Sequence, residues 1–238
     1  MKKAVLLFAI LVLPATVFGW ANGPSGNSIT DTASECDSPP YSTHDWIAEN
    51  ALMLLPDTSS KWLTPYKELF LLGTEAPDNK KIPTACHGPN NGYDDRRAGH
   101  SVSWNDDCAA ITNDRNAVRA EEEYQNAKTA YKSGKLSDAA FFLGAMSHYI
   151  TDISSYPHTI STDNHHSAYE SWVQGKTTSF DHCVFSPYIK KHTVTSCTPR
   201  KAVLTISKAV ACGKGTIESA EYMDAHYAER NSNPDISG

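Results

Sequence analysis

His148 and Asp152 stand four residues apart in a stretch that reads as a helix, so both side chains leave from one face, beside the small residues Gly144 and Ala145. That helix supplies no Lys or Arg after Lys135 to neutralise the carboxylate. A buried carboxylate left unpaired is very costly. The same four-residue step separates His166 from Glu170, and His158 follows Pro157 between the two pairs. Imidazole nitrogen and carboxylate oxygen together form a common zinc ligand set. Three protein ligands leave a position for water, which a catalytic zinc needs and a structural zinc lacks. His166 is chosen over His165 because the same step from His165 reaches Tyr169. Taken alone, a His-Asp hydrogen bond or an Asp paired with a distant Arg is the plainer reading of the first pair.

Three further candidates lie outside those helices. His100 follows Ala98-Gly99, and Asp78 sits in the polar run Glu75-Ala76-Pro77-Asp78-Asn79, where a rigid scaffold can aim a carboxylate. Trp20 becomes a candidate through export. Residues Met1 to Gly19 read as a secretory signal, with Lys2 and Lys3 at the positive end, an apolar stretch from Ala4 to Phe18, and Val17 and Gly19 small enough for cleavage. The apolar run is too short for a membrane span, which needs roughly 20 residues. Cleavage would free the Trp20 amine, which forms a five-membered chelate with the carbonyl of the same residue. His87, His165, His182, His192 and His226 show no comparable spacing and read as surface or packing residues.

The elements that must position these groups are helical. Ser42 or Thr43 can cap a helix from His44 to Leu55, which Pro56 ends. A short amphipathic piece is expected at Trp62 to Leu72, and then a long polar loop from Gly73 to Asp114 punctuated by Pro and Gly. Ala117 to Ser133 reads as an exposed helix stopped by Gly134. Leu136 to Ser154 is apolar nearly all round and is expected in the middle of the fold. Further helices are expected at Asn164 to Val173, Lys201 to Ala211 and Ile217 to Arg230, with no strand pattern of any length. The expected class is all-α, one multi-helix domain from residue 20 to 238.

Charge narrows the function. The chain carries 27 acidic against 21 basic residues, and losing Lys2 and Lys3 with the signal takes the formal charge from -6 to -8. A strongly basic face for nucleic acid is not indicated. Six cysteines in a chain bound for an oxidising compartment allow up to three disulfides. They contain no CxxC pair, which makes thiolate zinc the weaker reading. Sequence proximity favours Cys86 with Cys108 and Cys183 with Cys197.

In order along the chain, an N-terminal Trp, a His, an Asp, a His, His-x-x-x-Asp, a His and His-x-x-x-Glu resemble the bacterial zinc-dependent phospholipase C family. The fungal single-strand-specific zinc nucleases are similar to that family in fold and zinc layout. The signal makes a secreted protein the expectation, extracellular or periplasmic, and the resemblance implies a three-zinc cleft. Asp78, His100, His148 and Asp152 would hold one zinc, and His158, His166 and Glu170 a second. Trp20 and His44 would hold the third, with Asp152 bridging it to the first. Asp78 and Glu170 are the candidate catalytic carboxylates. The final Glu170 favours the phospholipase branch, since the nucleases typically place Asp there. Where the family has a Glu soon after its N-terminal Trp and aromatics that hold choline, this chain has Gly23, Asn79 and Arg97.

The chemistry so implied is in-line attack of water on a phospholipid phosphodiester at a lipid surface by a monomeric enzyme, giving diacylglycerol and a phosphorylated headgroup. One alternative is a single-strand nuclease that stacks bases on aromatics such as Tyr93, Trp104 and Tyr156. Another is a non-catalytic secreted module that binds lipid and uses zinc only to fold.

Overall fold

The computed structural model describes residues 41–56, 60–78, 99–105, 107–159, 170, 173–177, 179–181 and 197–212. Trp20, His166, the helix expected at Ile217 to Arg230, and that at Asn164 to Val173 except Glu170 and Val173, lie outside them.

Helix α1 runs Thr43–Leu54. Ser42 starts it with a capping box: its Oγ accepts from the Asp45 N–H while the Asp45 carboxylate accepts from the Ser42 N–H. Helix α2, Lys67–Glu75, follows the single turn Thr64–Tyr66 and leads into a second turn, Ala76–Asp78. The loop expected from Gly73 therefore begins later. Gly73 is held inside α2 because it meets Gly144 of the central helix. A Cβ on Gly144 would lie 2.8 Å from the Gly73 Cα and inside contact distance of the Phe70 carbonyl oxygen. Two glycines let the backbones touch.

Helix α3, Arg115–Lys132, ends at Gly134, whose φ of 75° is the left-handed stop expected there. Helix α4, Leu136–Asp152, is the central one, and α5 spans Pro199–Cys212. The expected absence of strands is corrected by a two-stranded antiparallel sheet, β1 Ser103–Trp104 and β2 Ile111–Asn113, with Ser103 opposite Asn113. Strands of two and three residues are too short to show alternation. The class remains all-α, a single domain.

Against α4 pack α3 and α2 most extensively, with α1 and α5 at its flanks. One part of the core joins Ala48, Leu63, Phe70, Ala127, Ala140, Leu143 and Met146. Another joins Val102, Ala117, Ala120, Tyr149, Ile153 and Val203. The near-continuous burial of α4, from Ala139 through Asp152, follows from neighbours on every side. Its polar residues His148 and Asp152 are thereby placed in the interior.

Cys108 bonds to Cys212, 104 residues away in sequence, which overturns the expected Cys86–Cys108 bridge. The end of α5 is brought against the Asn105 to Ala110 turn by the fold, so spatial and not sequence proximity selected the partner. Cys197 is exposed with no disulfide partner among the described residues, and Cys183 lies outside them.

Candidate metal centre

Asp152 occupies the last turn of α4, one turn after His148, and its carboxylate is the hub of the site. His148 Nε2 lies 3.2 Å from Asp152 Oδ2, and His100 Nδ1 lies 2.7 Å from the same oxygen. The other oxygen, Oδ1, faces His44 Nε2 at 3.5 Å and His158 Nε2 at 3.8 Å. Asp78 closes the first side, with Oδ1 3.5 Å from His100 Nε2 and 3.9 Å from His148 Nε2. Glu170 Oε1 is 3.0 Å from His158 Nε2. Seven of the sequence-derived candidates are therefore brought together, and Trp20 and His166 lie outside the described residues.

Several elements deliver the groups, with His148 and Asp152 sharing α4. His44 comes from the first turn of α1, its ring stacked on His148 with centroids 4.2 Å apart. Asp78 ends the turn after α2. The segment carrying His100 is pinned twice: Asn116 of α3 donates to the His100 carbonyl at 3.2 Å, and the Val102 N–H donates to the His158 carbonyl at 2.9 Å. His158 sits in the turn Tyr156–Thr159 just past α4.

Burial divides the site into a wall and a mouth. His44, His148, Asp152 and His158 are buried, whereas the Asp78 side chain is 33% and that of Glu170 18% exposed. The accessible groups are thus the two carboxylates. Burial pushes the Asp152 carboxyl up, but the combined charge of His148, His158 and His100 outweighs it and holds the group well below the usual carboxylate range. Burial, reinforced by His148, pushes His44 well down and keeps it neutral, as a metal ligand must be. For His148 the burial penalty is outweighed by Asp152 and Asp78, and its pKa rises.

The residues fit a divalent metal. His44 Nε2 is buried with no hydrogen-bond partner among the described residues while facing a carboxylate. Such an orphaned nitrogen costs free energy unless a ligand uses its lone pair. Two groups, His44-Asp78-His148 and His100-His148-Asp152, bring one donor atom per residue within 4.8 Å of one another. Imidazole with carboxylate is a zinc set.

A second layer lies behind the wall. His148 Nδ1 donates to the Thr74 carbonyl at 2.7 Å, and His44 Nδ1 lies 2.7 Å from Thr151 Oγ1. Thr74 Oγ1 also donates to Asp45 Oδ1 at 2.8 Å, and the Ser42 hydroxyl donates to Glu75. Burial pushes Asp45 up to about 6, and burial together with the charge of Asp45 pushes Glu75 well above its ordinary value. None of Ser42, Asp45, Thr74, Glu75, Asn116 and Thr151 was identified from sequence as part of the site. Nothing local marked Glu75, with Lys67 and Lys80 both nearby in sequence, and reading it as loop hid its burial.

Among the described residues no helix is long and apolar enough to cross a membrane. No curated protein matches the chain. The sequence model of the family described as zinc dependent phospholipase C matches residues 43–209, a span that takes in α1 to the last turn of α5 and every described candidate ligand. With that match over well more than half of its length, the chain belongs to the zinc-dependent phospholipase C family and is a hydrolase of the phospholipase C type.

Proposed function

We propose that the protein is exported, begins at Trp20 after cleavage, and acts as a monomer that hydrolyses phospholipids to diacylglycerol and a phosphorylated headgroup on a centre of three zinc ions. The observation that carries this reading is the convergence of His100 and His148 on one oxygen of Asp152, with Asp78 closing on those two rings, and of His44 and His158 on the other oxygen. One ion is assigned to Asp78, His100, His148 and Asp152, a second to His158, His166 and Glu170, and a third to His44 with the amine and carbonyl of Trp20. Asp152 is shared between the first and third. Residues 20 to 238 form the catalytic domain.

Zinc, when bound, supplies Lewis acidity toward phosphate oxygens and lowers the pKa of water. The remaining work falls to side chains. Asp78, the more exposed carboxylate at the mouth, orients a water and takes its proton as the new O–P bond forms. The P–O bond to diacylglycerol breaks in line, and the departing oxygen takes a proton from solvent. Glu170 fixes the His158 ring through their 3.0 Å contact. Without the family's choline-binding aromatics at Asn79 and Arg97, the headgroup preference is expected to extend beyond choline.

Parallel assays on dispersed phospholipid and on single-stranded DNA test the reading. It requires phosphorylated headgroup and diacylglycerol from the first. Acid-soluble nucleotides without headgroup would make the protein a nuclease. A zinc-dependent melting temperature with neither product would make it a non-catalytic module.

A further inference from the structure

Thr151 Oγ1 touches two partners at once: it donates to the His148 carbonyl oxygen at 2.8 Å, one turn back in α4, and lies 2.7 Å from His44 Nδ1. A hydroxyl has a single proton and two lone pairs. With the proton on the carbonyl, only an accepting face is left for His44. His44 Nδ1 therefore carries the hydrogen, and Nε2 turns a lone pair toward the site, 3.5 Å from Asp152 Oδ1. That same Nε2 is the buried nitrogen with no hydrogen-bond partner among the described residues.

His148 is turned the same way by a stricter constraint. Its Nδ1 meets the Thr74 carbonyl, which can only accept, so Nδ1 carries a hydrogen and Nε2 is the nitrogen turned toward the site, 3.2 Å from Asp152 Oδ2. The two rings stack nearly parallel, 10° apart, with both Nε2 atoms facing the one carboxylate. Thr151 is the shared member: through one oxygen it touches the α1 ring and the backbone of the α4 residue on which that ring stacks. It also immediately precedes Asp152.

We propose that Thr151 is a positioning residue that holds His44 as the Nδ1–H tautomer, with Nε2 free to coordinate zinc, and so registers α1 against the ligand-bearing turn of α4. The inference rests on His44 being a ligand, as assigned above. The group that orients a ligating imidazole contributes roughly 10- to 100-fold to metal affinity in other sites.

Long-range proton–nitrogen NMR on the metal-free, histidine-labelled protein reads the tautomer directly, with His44 assigned by comparison with His44→Gln. Nδ1–H is expected in the wild type and in Thr151→Ser, which keeps the hydroxyl, and a mixture or Nε2–H in Thr151→Val. Chelator competition should show zinc held about 10- to 100-fold more weakly by Thr151→Val and within a few-fold of wild type by Thr151→Ser. An Nε2–H His44 in the wild type overturns the proposal, and this readout stands even if Thr151→Val does not fold. Unchanged zinc affinity in a folded Thr151→Val, with His44→Gln losing zinc, overturns the role of Thr151 alone. Unchanged zinc content in His44→Gln overturns the ligand assignment and the inference with it.

Discussion

Among single residues, Asp152 and Asp78 divide the work by their exposure. Asp152 is enclosed and surrounded by imidazoles, and no proton competes for it near neutral pH. Asp78 is the more exposed, with 33% of its side chain open to solvent. Asp78→Asn should therefore fold normally and lower kcat by about 100- to 10,000-fold, the range for loss of a positioned base. Zinc content measured alongside separates a lost ligand from a lost base. Behind them, the Asp45 and Glu75 carboxyls make stability depend on pH. Both take up protons more readily folded than unfolded, because burial raises them from 3.8 and 4.5, Asp45 to about 6. Their contribution is complete below those unfolded values and is lost as pH rises through about 6 and above. Glu75→Gln needs no such proton. Urea unfolding of the metal-free proteins at a series of pH values should show the variant gaining on wild type as pH rises, by at most about 1.4 kcal/mol per pH unit for one proton.

The elements bring the candidate ligands together through a close crossing of α2 and α4. Gly144→Ala in α4 improves intrinsic helix propensity, yet the new methyl meets Gly73 and the Phe70 carbonyl. A net loss of about 1 to 3 kcal/mol is expected in urea unfolding, as for other overpacked sites. Gly134→Ala makes the contrast. Nothing lies within 4 Å of its added methyl, so its cost is the positive φ alone, about 1 kcal/mol. This crossing also shows what sequence conveys. The nearly all-round apolar run of α4 and the four-residue spacing of His148 and Asp152 were legible because both are local in sequence. The glycine contact was not, since Gly73 inside a polar-looking run reads as a loop until its partner 71 residues on is known to face it (73 to 144). Thr151 escaped for a related reason: its partner His44 is 107 residues away. His44, Asp78 and His100 were placed in the ligand set by family order, and their convergence is a property of the packed helices.

Across the whole molecule, the chain is closed by a bond that sequence proximity assigned differently. The Cys108–Cys212 disulfide ties α5 to the hairpin beside the His100 segment and closes a loop spanning 104 positions. Its selective reduction should lower stability by about 2 to 5 kcal/mol, read as a lower midpoint in denaturant. Stripping metal should add to that loss, because ligands held in one geometry repel or stay unpaired without the ion. The family match and the all-α fold establish the kind of enzyme; the arrangement of ions around Asp152 is the claim on which the chemistry turns. An anomalous difference map at the zinc absorption edge, from crystals of the mature zinc-loaded protein, tests it most directly. The account requires two peaks within coordination distance of Asp152, one shared with His148 and one with His44, and a third between His158 and Glu170. A map with no peak against Asp152, or with zinc bound only elsewhere, would contradict it.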